Sequence, residues 1–303
     1  MSTTNDEPVF PADPEWPRLD PVCWATTNGT PYLREPGVVL VSKPSVNTGN
    51  LAVFMDSYDP TLHFEDYLQD PSVLPAGEQL CKTMGQLCYL SFGPQRSKNN
   101  QAARYFDNIL ESGHGSVLEH ANYSFVFYGI SRSLTHELVR HRAGFAFSQV
   151  SQRYVDGTKL RFVMRPEFLP SRSPELAEMF YDDIDQARLR YDQYAERLLQ
   201  SPDLEQLRKD RMSRTDLRKR VNQVARGVLP NFTEAPIGVT ANVRAWRHFC
   251  NMRGSVHAES EIRRLTVMVA KCLKVVAPLL FADVSLVTLK DGTMGLQVGY
   301  PKV

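Results

Sequence analysis

The part of this sequence best suited to chemistry is residues 139–154, VRHRAGFAFSQVSQRY, which holds three arginines and one histidine. The side chains of Arg140, Arg142 and Arg153 are planar forks of N–H donors that can bind phosphate through paired hydrogen bonds. The histidine and serines of the same stretch add further donors. This composition predicts a local site for an anion. Taken alone, the stretch is also compatible with arginines that meet the dipole at a helix C-terminus.

Two further clusters show the same concentration of polar residues: GHGSVLEH at 113–120 and NVRAWRHFCNMRGSVH at 242–257. Six of the seven histidines lie between residues 114 and 257. Each cluster alone is compatible with ordinary loop, core or surface positions. Together, their arginine, asparagine, serine and histidine donors predict a pocket for anionic nucleotides.

Several common catalytic motifs are missing from the sequence. It has no GxGxxG after a strand, no GxxxxGK[ST] and no GxSxG. HELVR at 136–140 begins like the zinc motif HExxH, but Arg140 stands where the second histidine ligand would be. No cysteine lies in a recognisable nucleophile context. We therefore expect no metal site and no covalent catalysis by a side chain.

The elements that must position the three clusters are predicted from hydrophobic patterns. Strands are predicted at 37–42 and 121–130, and helices at 76–92, 131–142, 174–211, 216–227 and 240–280. The helix at 76–92 has Leu80, Met84 and Cys88 on one face. The last helical segment is interrupted at Gly254, after which Ser255 can cap a second helix. The apolar face of that second helix comprises Ile262, Leu265, Met268, Val269, Cys272 and Val276.

Composition indicates an ordinary globular protein with an unusual beginning. Residues 1–36 contain seven of the twenty prolines and are predicted to form an extended arm, followed by one domain at 37–303. Lysine plus arginine number 35 against 34 acidic residues, so no global field favours a nucleic-acid polymer or a membrane. The five cysteines form no CxxC pair, and the sequence has no apolar run of membrane-spanning length. We expect a reduced, cytoplasmic setting.

The stretch RHRAGFAFSQVSQRY closely resembles the signature of the flavin-dependent thymidylate synthase family, in which an RHR triplet is followed by a serine and an arginine. GHGSVLEH, ARGVLP at 225–230 and NVRAWRHFCNMRGSVH resemble three other motifs of that family in the same order. The resemblance covers roughly residues 37–280. It implies an α+β fold, with helices packed around a central antiparallel or mixed sheet, and a homotetramer whose sites are shared between subunits.

The same resemblance implies a methyltransferase that uses FAD, NADPH and methylenetetrahydrofolate to methylate C5 of a uridine monophosphate. Positions that match flavin-binding residues of the family are Ser116, Arg140, His141, Arg142, Gln149, Asn242, Arg244 and His248. Positions that match the uridylate pocket are Glu137, Arg140, Gln149, Val150, Ser151, Arg153, Arg226 and Arg253. Arg253 matches an arginine that favours ionised N3 of uracil, and His114 matches a histidine at the folate and flavin edge.

One departure from the family pattern concerns the spacer between RHR and Ser151, which is eight residues, Ala143 to Val150, and one longer than in the family. The extra residue is expected near Gly144, which can absorb it in a loop. A changed register could admit a ribose hydroxyl, so UMP is a possible substrate beside or instead of dUMP. Two other interpretations remain open: a flavin or nucleotide-binding module without methylase activity, and a helical scaffold whose arginines are incidental.

Overall fold

The structure is a computed structural model, which describes residues 14–59, 61, 73–92 and 101–303. The strands are β1 (Arg18–Leu19), β2 (Cys23–Ala25), β3 (Pro31–Leu33), β4 (Gly37–Ser42), β5 (Asn122–Tyr128), β6 (Phe145–Gln149), β7 (Phe162–Val163), β8 (Ile237–Asn242), β9 (Val284–Thr288) and β10 (Met294–Val298). The helices are α1 (Thr48–Tyr58), α2 (Ala76–Leu87), α3 (Ala102–Glu111), α4 (Arg132–Leu138), α5 (Pro174–Leu199), α6 (Pro202–Lys209), α7 (Arg214–Ala225), α8 (Val243–Arg253) and α9 (Ser260–Val276). The predicted α+β fold is confirmed. No helix among these residues combines the length and apolar character needed to cross a membrane.

The central sheet has five strands in the order β1-β4-β5-β8-β6, and every neighbouring pair is antiparallel. Side chains alternate between the two faces of a strand, and β5 follows this period. Its Tyr123, Phe125 and Phe127 are buried, whereas Val126 on the opposite face is exposed. Trp246 of α8 packs edge-on against both phenylalanines. The buried face of the sheet therefore carries α8, the helix formed by most of the polar cluster at 242–257.

The last helical segment differs from its prediction at two points. Thr240 belongs to β8, where it pairs with Ser124, so α8 begins only at Val243. Ser255 does not cap α9, because its hydroxyl donates to the Met252 carbonyl instead, and the N-cap of α9 is Glu259. The predicted apolar face of α9 is buried, with Met268 partly so.

Helix α2 buries a different face from the predicted one. Leu80 and Met84 are only partly buried and Cys88 is exposed. The face in the core instead contains Gly77, Glu78, Cys81, Lys82, Thr83, Gly85 and Gln86. The two glycines explain this choice, because a Cβ at either would lie 2.1 Å from a tyrosine hydroxyl. Close approach of the helix to its neighbours has outweighed the burial of its larger apolar side chains.

Residues 14–36 contribute short strands to the body of the protein. Strand β1 extends the central sheet, and the β2–β3 hairpin forms a small mixed sheet with β7. Thr26 and Asn28 of the hairpin donate to the Asp185 carboxylate on α5 at 2.7 and 2.9 Å. Residues 1–13 of the predicted arm lie outside the described residues. The domain boundary at residue 36 stays a prediction.

Replacing Glu78 with glutamine is expected to stabilise the protein, and more at pH 8 than at pH 5. Burial raises the pKa of the Glu78 carboxyl to about 7, against the opposing effect of the Leu279 and Leu280 N–H groups. The folded state therefore holds this proton at a pH where the unfolded chain, with a pKa of about 4.3, has lost it. Stability falls as the pH rises from about 4 to 7, by roughly 2–3 kcal/mol.

Denaturant unfolding of Glu78→Gln and the wild type at both pH values measures this effect. Glu178→Gln, which changes an exposed carboxylate on α5, is the matched control. An equal gain at pH 5 and pH 8 would show that Glu78 is not the titrating group.

Candidate functional site

The turn that carries the RHR triplet follows α4, which ends earlier than predicted, at Leu138. Ser131 caps the start of this helix by accepting from Leu134 N, and its own hydroxyl and N–H donate to Glu261 on α9. After α4 the chain continues through turn-type bonds to Gly144, whose φ of 75° favours glycine. A Cβ there would lie 2.9 Å from the Asn242 amide nitrogen. The turn is thus held at its start by the capped helix α4 and at its end by the packing of Gly144 against Asn242.

Arg253, at the end of α8, contacts one side chain of the RHR triplet and one of the helix α4 that precedes it. Its Nε donates to His141 Nε2 at 2.8 Å, and its Nη1 pairs with the Glu137 carboxylate. Burial, and then the charges of Arg253 and His248, lower the pKa of His141 to about 4. His141 is therefore neutral at pH 7, which is the form that can accept the Arg253 hydrogen bond.

Helix α8 also connects this group of contacts with the polar cluster at 113–120. His248 lies in the middle of α8, and its ring centroid is 6.2 Å from that of His141. At the other end of the helix, Arg244 donates to the Glu119 carboxylate at 2.6 Å. A Cβ on Gly115 would lie 2.9 Å from Arg244 Nε, so a larger residue here would displace the Arg244 side chain from its present position.

Three predicted site residues, His114 of the folate and flavin edge and the flavin residues Ser116 and Asn242, lie where these elements meet. His114 and Ser116 are exposed beside the Arg244 side chain, on the segment that packs against α8. Asn242 is the N-cap of α8, and its Oδ1 accepts from Ala245 N at 2.9 Å. Its amide nitrogen faces Gly144. The segments 113–120 and 137–144 therefore both lie beside α8, the helix of the cluster at 242–257.

A second group of predicted residues lies beyond β6. Arg153 N donates to the Ser151 hydroxyl at 3.3 Å, and the Asn222 side chain on α7 donates to the Arg153 carbonyl at 3.4 Å. Arg226 follows Asn222 by one helical turn. The Ser151 turn, Arg153 and Arg226 are thus placed around one end of α7.

Lys219 and Tyr154 belong to this second group but were missed by the sequence analysis. Lys219 Nζ lies 4.9 Å from the Tyr154 ring centroid, and its hydrogen bond lowers the pKa of the Tyr154 hydroxyl. Lys219 precedes Asn222 by three positions, so both lie on one face of α7, and Arg226 is the C-cap residue of that helix. The spacing of Lys219 and Asn222 along a predicted helix was the sequence feature that could have identified Lys219.

The two groups are separated within one chain by the length of β6. Its register with β8 is continuous, from Phe145 opposite Ala241 to Gln149 opposite Ile237. A strand rises about 3.4 Å per residue, so Phe145 and Gln149 lie roughly 14 Å apart. Gln149 and Val150 accompany Ser151 at the far end. The chain therefore does not bring all of the predicted uridylate residues together.

Four of the predicted site arginines have no carboxylate partner among the described residues. They are Arg140, Arg142, Arg153 and Arg226. By contrast, Arg244 and Arg253 each have one. Unpaired guanidinium groups suit the phosphates of a dinucleotide or a mononucleotide, and the nearby neutral His141 and the amide of Asn242 suit ring and carbonyl groups. The donor set thus fits a flavin nucleotide together with a uridylate.

None of the contacts described for either group involves a cysteine side chain. Cys81, Cys250 and Cys272 are buried, and burial raises the pKa of each thiol to about 12. Cys23 and Cys88 are exposed on β2 and after α2. A thiol with a raised pKa is a poor nucleophile. The buried cysteines serve packing.

Comparisons with known proteins match the segment that contains the clusters. The family model for thymidylate synthase complementing protein, Thy1, matches residues 72–279. A flavin-dependent thymidylate synthase from Mycobacterium avium is 43% identical over 233 residues, which is 75% of this chain and 90% of that protein. One from Mycolicibacterium vanbaalenii is 44% identical over 217 residues, 72% of this chain and 83% of that protein. The protein therefore belongs to the thymidylate synthase complementing protein family, as the resemblance of its motifs predicted.

Proposed function

We propose that the protein is a flavin-dependent enzyme that methylates C5 of a uridine monophosphate, with dUMP as an acceptor. The observation that carries the proposal is the Arg253 guanidinium, held by neutral His141 and by Glu137 at the edge of a surface rich in unpaired cations. The names of the relatives support the same activity. Methylenetetrahydrofolate is the proposed carbon donor and NADPH the proposed reductant.

Residues along α8 and the RHR turn are proposed to hold FAD, which supplies the reducing equivalents when bound. Arg140 and Arg142 would meet its pyrophosphate, because their forks are unpaired and exposed. Ser116, His141, Asn242, Arg244 and His248 supply the remaining donors. Gln149, at the far end of β6, would reach this surface only from another subunit. His114 is proposed to lie at the folate and flavin edge.

Arg253 is proposed to act on the uracil ring. Its guanidinium is permanently charged, so it can stabilise negative charge at N3 and thereby activate C5 without a protein nucleophile. The Glu137 carboxylate and His141 orient the fork. This role needs no thiol: Cys250, one turn before Arg253 on α8, is buried, and burial raises the pKa of its thiol to about 12.

The uridylate site is proposed to be shared between subunits of a homotetramer. Its phosphate would bind to Ser151, Arg153 and Arg226 of one subunit, while the base would meet Arg253 of another. The length of β6, which separates these residues in one chain, supports this arrangement.

Deleting Ala143 is expected to shift the enzyme toward dUMP over UMP while it keeps its flavin. The extra spacer residue is proposed to lie at Ala143–Gly144, because β6 pairs regularly with β8 and Gly144 takes the positive φ. A longer turn should relax exclusion of the ribose hydroxyl before it creates a partner for it. The ratio of kcat/KM for the two nucleotides measures the shift, and an unchanged ratio would make the spacer a silent insertion.

A methylation assay tests the proposal directly. The purified protein should show a flavin absorption spectrum and, with methylenetetrahydrofolate and NADPH, convert dUMP to a product 14 mass units heavier, the mass of one CH₂ group. UMP is offered in parallel. A yellow protein that binds dUMP without product would favour the alternative, a flavin or nucleotide-binding module without methylase activity. A protein that gains no flavin spectrum with added FAD would contradict both.

A further inference from the structure

A small cavity of about 160 Å³ lies at the N-terminus of α2, away from the site described above. The opposite end of α2 is the one near the short helix Gly115–Glu119, since Gly85 contacts Val117. The cavity is lined by Lys43, Pro44 and Tyr123 together with the first residues of the helix. It has no part in the proposed reaction.

The first turn of α2 presents hydrogen-bond donors to this cavity. Its N-cap is Pro75, which offers no side-chain cap, and the first intrahelical bond runs from Gln79 N to the Pro75 carbonyl at 3.0 Å. The N–H groups of Ala76, Gly77 and Glu78 therefore have no acceptor within the helix. A helix N-terminus of this kind carries partial positive charge and favours anions.

Tyr123 supplies an independent sign of a ligand. It is 1% exposed, and its hydroxyl has no hydrogen-bond partner among the described residues. A Cβ on Gly77 would lie 2.1 Å from this hydroxyl and 3.4 Å from Pro44 Cγ. The hydroxyl is thus directed at the space between Gly77 and Pro44, two residues that line the cavity. A buried hydroxyl without a partner is costly, so an acceptor in the cavity would stabilise it.

Lys43 adds a full positive charge at the edge of the cavity. Its ammonium is held by the Glu15 carbonyl at 2.9 Å and lies 4.5 Å from the Trp16 ring centroid. The Glu15 carboxylate, 3.5 Å away, is largely exposed. The nearer acid, Glu78, is directed to Leu279 N at 2.6 Å. Pro44, Pro75 and Val276 give the cavity apolar walls, and the polar groups of its lining residues include two backbone N–H groups, the Tyr123 hydroxyl and the Lys43 ammonium, all of which can donate.

We infer that this cavity binds a tetrahedral oxyanion of the phosphate class, through the α2 N-terminus, Tyr123 and Lys43. The volume accommodates a single phosphate group. The source of that group is either free phosphate or the end of a phosphomonoester whose remaining atoms stay outside. The site is separate from the uridylate phosphate site proposed above, and binding here can be measured without turnover.

Isothermal titration with inorganic phosphate tests the inference on the full-length, flavin-loaded protein. dUMP is kept at saturation so that the proposed uridylate site is occupied. Tyr123→Phe and Lys43→Met should each raise the Kd for phosphate about tenfold, the effect of losing a hydrogen bond to a charged group. Lys43→Arg should keep most of the affinity. Lys290→Met, at an exposed lysine after β9, should change nothing.

Tyr123→Phe also tests the idea through stability. Without phosphate the variant should be at least as stable as the wild type, because it loses an unpaired hydroxyl. With phosphate only the wild type should gain the full increase in Tm. Glycerol 3-phosphate binding as tightly as phosphate would identify a monoester site, and weaker binding would identify free phosphate. Absence of phosphate binding under dUMP saturation, or unchanged Kd in both Tyr123→Phe and Lys43→Met, would overturn the inference.

Discussion

Arg253→Ala is expected to lower kcat for methylation about a thousandfold while the protein still binds flavin. A charged fork that stabilises charge in the transition state typically contributes a few kcal/mol, and its loss costs about 10² to 10³ in rate. Arg253→Lys should be nearly as severe, because an ammonium cannot contact His141, Glu137 and the uracil edge together. Single-turnover rates and KM for dUMP separate the chemical step from binding.

The control for Arg253 is Arg188→Ala, which removes a half-buried arginine of α5 that donates to the Gly29 carbonyl on the β2–β3 hairpin and interacts with Asp192. It should retain full activity. A second readout comes from His141, whose pKa Arg253 helps to lower. In Arg253→Ala that pKa should rise, as an NMR titration can show. Near-normal turnover in both Arg253 variants would contradict the assigned role.

Activity should return when two inactive variants are combined in one assembly. Arg253→Ala and Arg153→Ala are each expected to be inactive, because each removes one half of the proposed shared site. If the halves come from different subunits, random mixing leaves about a quarter of the sites intact. Co-expression with two different affinity tags isolates the mixed assemblies for the assay.

The matched control pairs two variants from the same half, Arg253→Ala and Glu137→Ala. These residues contact each other within one chain, so no mixed site can contain both. This combination should stay inactive. If it recovers as well as the first combination, or if the first does not recover, the site is not divided at β6.

Much of this architecture follows from local sequence patterns, because strong patterns left few alternatives. The apolar face of α9 predicted which of its side chains are buried, whereas β5 was predicted as a strand without its alternation of buried and exposed faces. The face of α2 could not be predicted, since two glycines allow contacts with tyrosines distant in sequence. Ser255 failed as a cap because its hydroxyl found a nearer acceptor, the Met252 carbonyl.

The sequence predicted which residue types belong to the candidate site, but it predicted only in part which of those residues lie close together in one chain. The contact between Arg253 and His141 joins residues 112 positions apart, so spacing alone could not reveal it. The residues near Ser151 were assigned to the same pocket as Arg253, yet the chain separates them by a strand. Lys219 was overlooked because one lysine in a charged helix carries no signal until its neighbours on that face are considered.

Strand β6 has a further consequence for handling the protein. It forms an edge of the central sheet, and among the described residues it pairs with β8 alone. An edge strand presents unpaired backbone groups that can recruit a strand from another molecule, and charged side chains usually prevent this. The outward residues of β6, Ala146 and Ser148, carry no charge. In the proposed homotetramer, dilution that separates the subunits would leave this edge uncovered, and we expect the resulting inactivation to be irreversible through aggregation.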